Sequence, residues 1–209
     1  MNHIVLLGDS VFDNAAYVAG GPDVVGQLRS ILPSGWRATL NALDGAVIGD
    51  ISGQLPKLPG DAAHLVISAG GNDALGEAHL LDQSVGSMAE ALELLSRVRD
   101  RFRAAYAAMI DEVLQHRLPT AVCTIYEPRF PEPPRRRLAA TALTALNDAI
   151  TREAFARGID CIDLRVLCNE DRDFANPIEP SVHGGAKIAR AILAFAAKDE
   201  SAVSRVIAR

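Results

Sequence analysis

Five short apolar runs, at Ile4–Leu7, Trp36–Leu43, Leu65–Ser68, Ala121–Ile125 and Ile159–Leu164, recur along the chain with helical patterns between most of them. This alternation constrains the fold more than any other feature. Strands that alternate with helices pair in parallel, and helices then cover both faces of the sheet. Right-handed crossovers favour a doubly wound, flavodoxin-like three-layer α/β/α sandwich around a five-stranded parallel sheet. A length of 209 residues, 49% of them hydrophobic, is enough for a full core and fits one domain over residues 1–209.

The longest helical pattern places Met88, Leu92, Leu95, Val98, Phe102, Ala105, Met109 and Val113 at three- and four-residue spacing. That stripe is expected to face the core, with Glu90, Arg97, Arg101 and Glu112 on the opposite side. Further helices are expected through Leu138, Ala142, Ala145, Leu146 and Ile150, and through Ile188, Ile192 and Phe195. The stretch Glu127–Pro134 carries four prolines and reads as a loop. Because it follows a strand, that loop belongs at the carboxyl edge of the sheet, where it would shape a pocket.

The formal net charge is −5, and the only basic run is Arg135-Arg136-Arg137, which reads as a solvated helix face. Nucleic acid is therefore not an expected partner. Cys123, Cys161 and Cys168 are odd in number and lack paired ligand spacing, so a reducing compartment and no metal site are expected. The start, Met1-Asn2-His3-Ile4, has no basic leader region, and no apolar run approaches membrane-spanning length. The expected location is the cytoplasm. No phosphate-cradling glycine pattern follows the first strand, which disfavours a nucleotide-binding module, and no cofactor is expected.

Ile4–Leu7 breaks into Gly8-Asp9-Ser10, which puts a hydroxyl at the carboxyl end of a buried strand. That edge is where open α/β sheets do chemistry, although the same tripeptide is also ordinary turn chemistry. The third strand ends similarly in Ser68-Ala69-Gly70-Gly71-Asn72-Asp73, and the second runs out at Asn41-Ala42-Leu43-Asp44-Gly45. Asn72 can therefore face Ser10 across neighbouring strands and offer its amide to a developing oxyanion. The plainer reading is that Asn72 and Asp73 cap the next turn.

These residues resemble the SGNH hydrolase family, also called GDSL esterases/lipases. Gly8-Asp9-Ser10-Val11 is similar to its nucleophile block, with valine where leucine is usual, and Gly70-Gly71-Asn72-Asp73 is similar to its asparagine block. The resemblance runs from the first strand to the final helix. It implies sheet order 2-1-3-4-5, Ser10 as nucleophile, and an oxyanion hole from the Ser10 N–H, a glycine N–H and the Asn72 side chain. The glycine is assigned to Gly45, ten positions before the leucine of the Gln54-Leu55 pair as in the family pattern, with Gly49 as the alternative. A small-molecule ester is the implied substrate.

The chain departs from the family in its last block, where an Asp-x-x-His pair normally precedes Pro-Ser-x-x-Gly-Gly. Aligned on Pro180-Ser181-Val182-His183-Gly184-Gly185, the histidine position holds Glu179 and the aspartate position holds Asn176. A serine hydroxyl is a poor nucleophile without a base, so a replacement is needed for turnover. His3, His64 and His116 fall on the wrong edge of the sheet, and nothing fixes the distance of His79. If Pro180 occupies the first turn of the last helix, His183 lies four residues after Glu179 on the same face and can act one turn further in. Asp163, at the end of the fifth strand, would then orient it; otherwise Asp160 and Asp163 only order their loop. Glu179 can itself take the proton if burial raises its pKa. The third reading makes Glu179 a helix-terminal carboxylate in a protein that binds an acyl or sugar ligand without turnover. The tail Val203–Arg209 offers a surface for a second copy.

Overall fold

A computed structural model describes residues 2–202, 204, 206 and 207. Val203, Arg205, Ala208 and Arg209, in the tail considered above for self-association, lie outside the described residues. The strands are β1 (His3–Gly8), β2 (Arg37–Leu40), β3 (His64–Ser68), β4 (Thr120–Cys123) and β5 (Asp160–Ile162). The α-helices are α1 (Val24–Ile31), α2 (Ile51–Gln54), α3 (Gly71–Gly76), α4 (Met88–Leu114), α5 (Pro133–Arg157), α6 (Leu164–Leu167) and α7 (Val182–Ala197). The sheet is wholly parallel in the order β2-β1-β3-β4-β5, with Val5 opposite both Thr39 and Leu65.

Period-two alternation in β1 divides its side chains between two cores. Val5 and Leu7 join Leu65, Ile67 and Val122 under α2, α4 and α5. Ile4 and Leu6 join Val66, Ala121 and Cys123 under α1, α6 and α7. The three layers follow directly, since every β1 residue from His3 to Gly8 is buried. Chain order turns one way from β1 to β2 and the other way to β3, so the carboxyl ends of β1 and β3 meet at the topological switch point.

Helix starts follow local chemistry. Asp23, Ser87 and Ser181 each cap the helix that follows by accepting backbone N–H bonds, from Gly26, Glu90, and His183 with Gly184, respectively. Three expectations need correction. The proline-rich segment is a loop only through Glu132, because Pro133 and Pro134 open α5, where missing N–H groups cost nothing. Pro180 lies outside the last helix, which Ser181 caps, and instead bridges to Phe174. Finally, the amino-terminal part of the α4 stripe is not core: Met88 is 75% and Leu92 58% exposed. No helix of the described residues is long and apolar enough to cross a membrane.

Candidate active site

The exit from β1 is built around Gly8, whose φ of +129° and close approach to β3 exclude a side chain; an added Cβ would sit 1.8 Å from the Ser68 carbonyl oxygen. The buried Gln54 amide clamps this glycine, accepting from Gly8 N and donating to Gly8 O at 2.8 Å each. Asp9 N donates to Ser68 O, and Asp9 Oδ1 accepts from Val11 N and Ser68 Oγ. Burial pushes the Asp9 carboxyl up to about 7 against those hydrogen bonds, with the Glu179 charge adding to the rise. The turn is thereby tied to β3, and it presents Ser10.

Ser10 Oγ donates to Glu179 Oε1 at 3.0 Å. Both residues are buried, at 7% and 4% exposure, and Glu179 Oε2 has no hydrogen-bond partner among the described residues. Burial raises the Glu179 carboxyl to about 7; the Ser10 hydrogen bond opposes the rise and the Asp44 charge adds to it. The pair has the geometry for direct proton transfer from hydroxyl to carboxylate.

The segment before α7 is held at both ends. Asn176 Oδ1 accepts from Ile178 N and Glu179 N, and Ala175 N donates to Glu179 O. Tyr126 Oη donates to Ile178 O, Arg129 N to Pro177 O, and Asn14 Nδ2 to Pro180 O. Asn176 therefore fixes backbone in the position where the family pattern has an acid that orients an imidazole.

His183 is turned elsewhere. Its ring is 43% exposed in the first turn of α7, and Nε2 lies 3.6 Å from Asp173 Oδ1. The helix starts after Ser181, so Glu179 and His183 do not share a helix face, and the one-turn displacement argued from Pro180 does not hold. Asp173 is fully buried and is held below the usual carboxylate range; burial alone would raise it, but Lys187 and the Glu170 N–H outweigh that. Asp163 accepts from Thr124 Oγ1, pairs with Arg165 and caps α6, which is the loop-ordering alternative. Asp160 is an exposed strand-end residue. His79 is exposed and contacts Gly76 O. His3 hydrogen-bonds Asp61 and Thr39, while His64 stacks on Trp36.

Asn72, in the first turn of α3, donates through Nδ2 to Ala46 O at 2.9 Å, and Asp73 Oδ2 accepts from Ile48 N. These bonds tie the block after β3 to the segment after β2, and bring Asn72 beside the residue that follows Gly45. Ser10, Asn72 and Glu179 line one cavity of about 560 Å³. Gly45 does not line that cavity but a second hollow of about 340 Å³ with Asp44, Ala46 and Gln54, and Gly49 is exposed within the 3₁₀ turn Ile48–Asp50. Gln54 enters the sequence pattern only as a partner of Leu55; its clamp on Gly8 carries no periodic signal.

Residues 6–191 match the GDSL-like Lipase/Acylhydrolase family. No curated protein sequence matches the chain. Among solved structures, an extracellular lipase from Streptomyces rimosus is 17% identical, with a TM-score of 0.67 over 94% of this chain and 100% of that one. A lipase/acylhydrolase from Enterococcus faecalis is 19% identical, with a TM-score of 0.66 over 95% and 97%. A catalytic mutant of an acetylxylan esterase from Geobacillus stearothermophilus is 19% identical, with a TM-score of 0.63 over 93% and 94%. At these identities the likeness is one of fold.

Proposed function

The chain belongs to the GDSL-like lipase/acylhydrolase family, and from that footing we propose that it is a serine ester hydrolase in which Glu179 is the general base. The observation that carries this reading is the 3.0 Å bond from Ser10 Oγ to Glu179 Oε1. As Oγ attacks the acyl carbonyl, Glu179 takes the hydroxyl proton; it then gives that proton to the departing alkoxide, which leaves as the alcohol. A water attacks the acyl-enzyme, Glu179 accepts its proton, and return of that proton to Ser10 releases the carboxylic acid.

An ordinary carboxylate is too weak a base to serve well at neutral pH. The rise to about 7 places Glu179 near the pH at which proton transfer is efficient and half of the groups are ionised. The Ser10 N–H and the Asn72 amide are the proposed oxyanion donors, with the Gly45 N–H as the third by family pattern. The substrate is a small-molecule ester. The same reading takes residues 1–209 as one hydrolase domain, and it places the protein in the cytoplasm on the ground that Cys123, Cys161 and Cys168 are free.

The test is hydrolysis of p-nitrophenyl acetate, combined with labelling by a serine-directed phosphonate, in wild type, Ser10→Ala, Glu179→Gln and His183→Ala proteins. Activity lost in the first two variants and kept in the third is expected. A rate that survives Glu179→Gln removes this residue as base, and an unlabelled, inactive wild type favours a protein that binds its ligand without turnover.

A further inference from the structure

The cavity at Ser10 is lined mainly by α4, α5 and the segment from α3 to Met88, and its chemistry is unusually one-sided. Among the described residues no Lys, Arg or His lines it, so these offer no cation to a phosphate or carboxylate. Its hydroxyls outside the catalytic group are already engaged: Ser68 donates to Asp9, Thr124 to Asp163, Tyr126 to Ile178 O and Thr141 to Arg137 O. Glu77 is paired with Arg101. Outside Ser10, Asn72 and Glu179, the exposed Gln83 amide is the polar side chain left over. One such group is little to recognise a hydroxyl-rich sugar, which needs several placed donors and acceptors.

The aliphatic wall also continues to the surface. Leu75, Val85, Met88, Leu92 and Leu138 line the cavity and are all 38–75% exposed. Large alkyl side chains gathered in water around a cleft mark a binding surface for apolar matter, and covering them is favourable. A cavity of about 560 Å³ is far more than an acetyl group fills.

We propose that this cavity is an acyl-chain site, making the preferred substrate an uncharged ester of a medium- or long-chain fatty acid, with Leu92 and Met88 covering the chain where it reaches the surface. This rests on the ester-hydrolase reading.

The experiment compares kcat/KM for p-nitrophenyl acetate, butyrate and octanoate, alongside calorimetric binding of methyl octanoate and methyl acetate to Ser10→Ala protein. The rate constant is expected to rise by about fourfold per added methylene. Leu92→Asp, at an exposed position, and Ala142→Trp, which fills the cavity, each lower the octanoate-to-acetate ratio by about tenfold or more. Methyl octanoate binds and methyl acetate does not. Ser10-dependent acetate hydrolysis with a flat or falling chain-length profile and no octanoate binding overturns the acyl-chain site while leaving the hydrolase intact. Octanoate binding without cleavage of any ester sinks the hydrolase reading and upholds the acyl-chain site.

Discussion

Asn176 holds Glu179 by its backbone: one side-chain oxygen accepts the Ile178 and Glu179 N–H groups at 2.9 Å each. The residue pair that departs from the family pattern is thus a structural unit, in which the first member sets the position from which the second reaches Ser10.

Asn176→Ala is expected to lower kcat by about tenfold or more, because small displacements of a proton acceptor are costly. Asn176→Asp preserves an acceptor and restores much of that loss. Its added negative charge favours the protonated form of Glu179, so the acidic limb of the pH–rate profile moves to higher pH. A limb that stays in place in Asn176→Asp argues against Glu179 as the titrating group.

The wild-type kcat/KM should climb with pH through about 7, the value to which burial raises Glu179, because only the ionised carboxylate accepts the Ser10 proton. A profile already flat at pH 5 contradicts that assignment. His183→Ala should leave the limb where it is.

Stability should run the other way. The folded-state pKa of Glu179 is about 7, above its ordinary 4.5, so the folded protein holds the proton more tightly than the unfolded chain. The favourable contribution is complete below about 4.5 and is lost as pH rises through about 7, a change on the order of 3 kcal/mol. Glu179→Gln is therefore expected to raise Tm by a few degrees at pH 8 relative to wild type, with the gain fading by pH 4. Differential scanning calorimetry at the two pH values reads the sign directly.

Removing the Asn72 amide tests the oxyanion donor. Asn72→Ala should lower turnover by about 100-fold or more with the circular dichroism spectrum unchanged. An unchanged rate would restrict Asn72 to its hydrogen bond with Ala46 O.

Gln54→Leu leaves the buried Gly8 N–H unpaired and removes one of the two donors to Gly8 O, which keeps the Leu43 N–H at 3.0 Å. The expected loss is about 1–3 kcal/mol of unfolding free energy, measured by urea titration. Activity should fall along with stability, since the same clamp shapes the turn that presents Ser10.

The centre of the sheet was legible because β1, β3 and β4 are wholly buried and read as apolar runs, such as Ile4–Leu7. Ser10 and Asn72 were legible because each follows a glycine exit at the same edge. Periodicity showed which face of α4 is apolar, but not whether another element covers it, so Met88 and Leu92 read as core. The role of His183 turned on where one helix begins. Pro180 and Ser181 both suit a helix start, and the Ser181 side chain, by accepting from His183 N and Gly184 N, decides it. The Glu179 contact depends on how a loop closes on a distant strand, which no local pattern encodes.

Ser10 and Glu179 are 169 residues apart, one just after β1 and the other just before α7. A ribosome must therefore make the chain through Glu179 before the two can meet, and loop closure over that span comes late. If Glu179 is the base proposed above, the nascent chain until then carries an unactivated hydroxyl, and synthesis itself acts as a timer on reactivity. On the same reading, a carboxy-terminal truncation that removes Glu179 would lose the proposed chemistry even where the sheet had already formed.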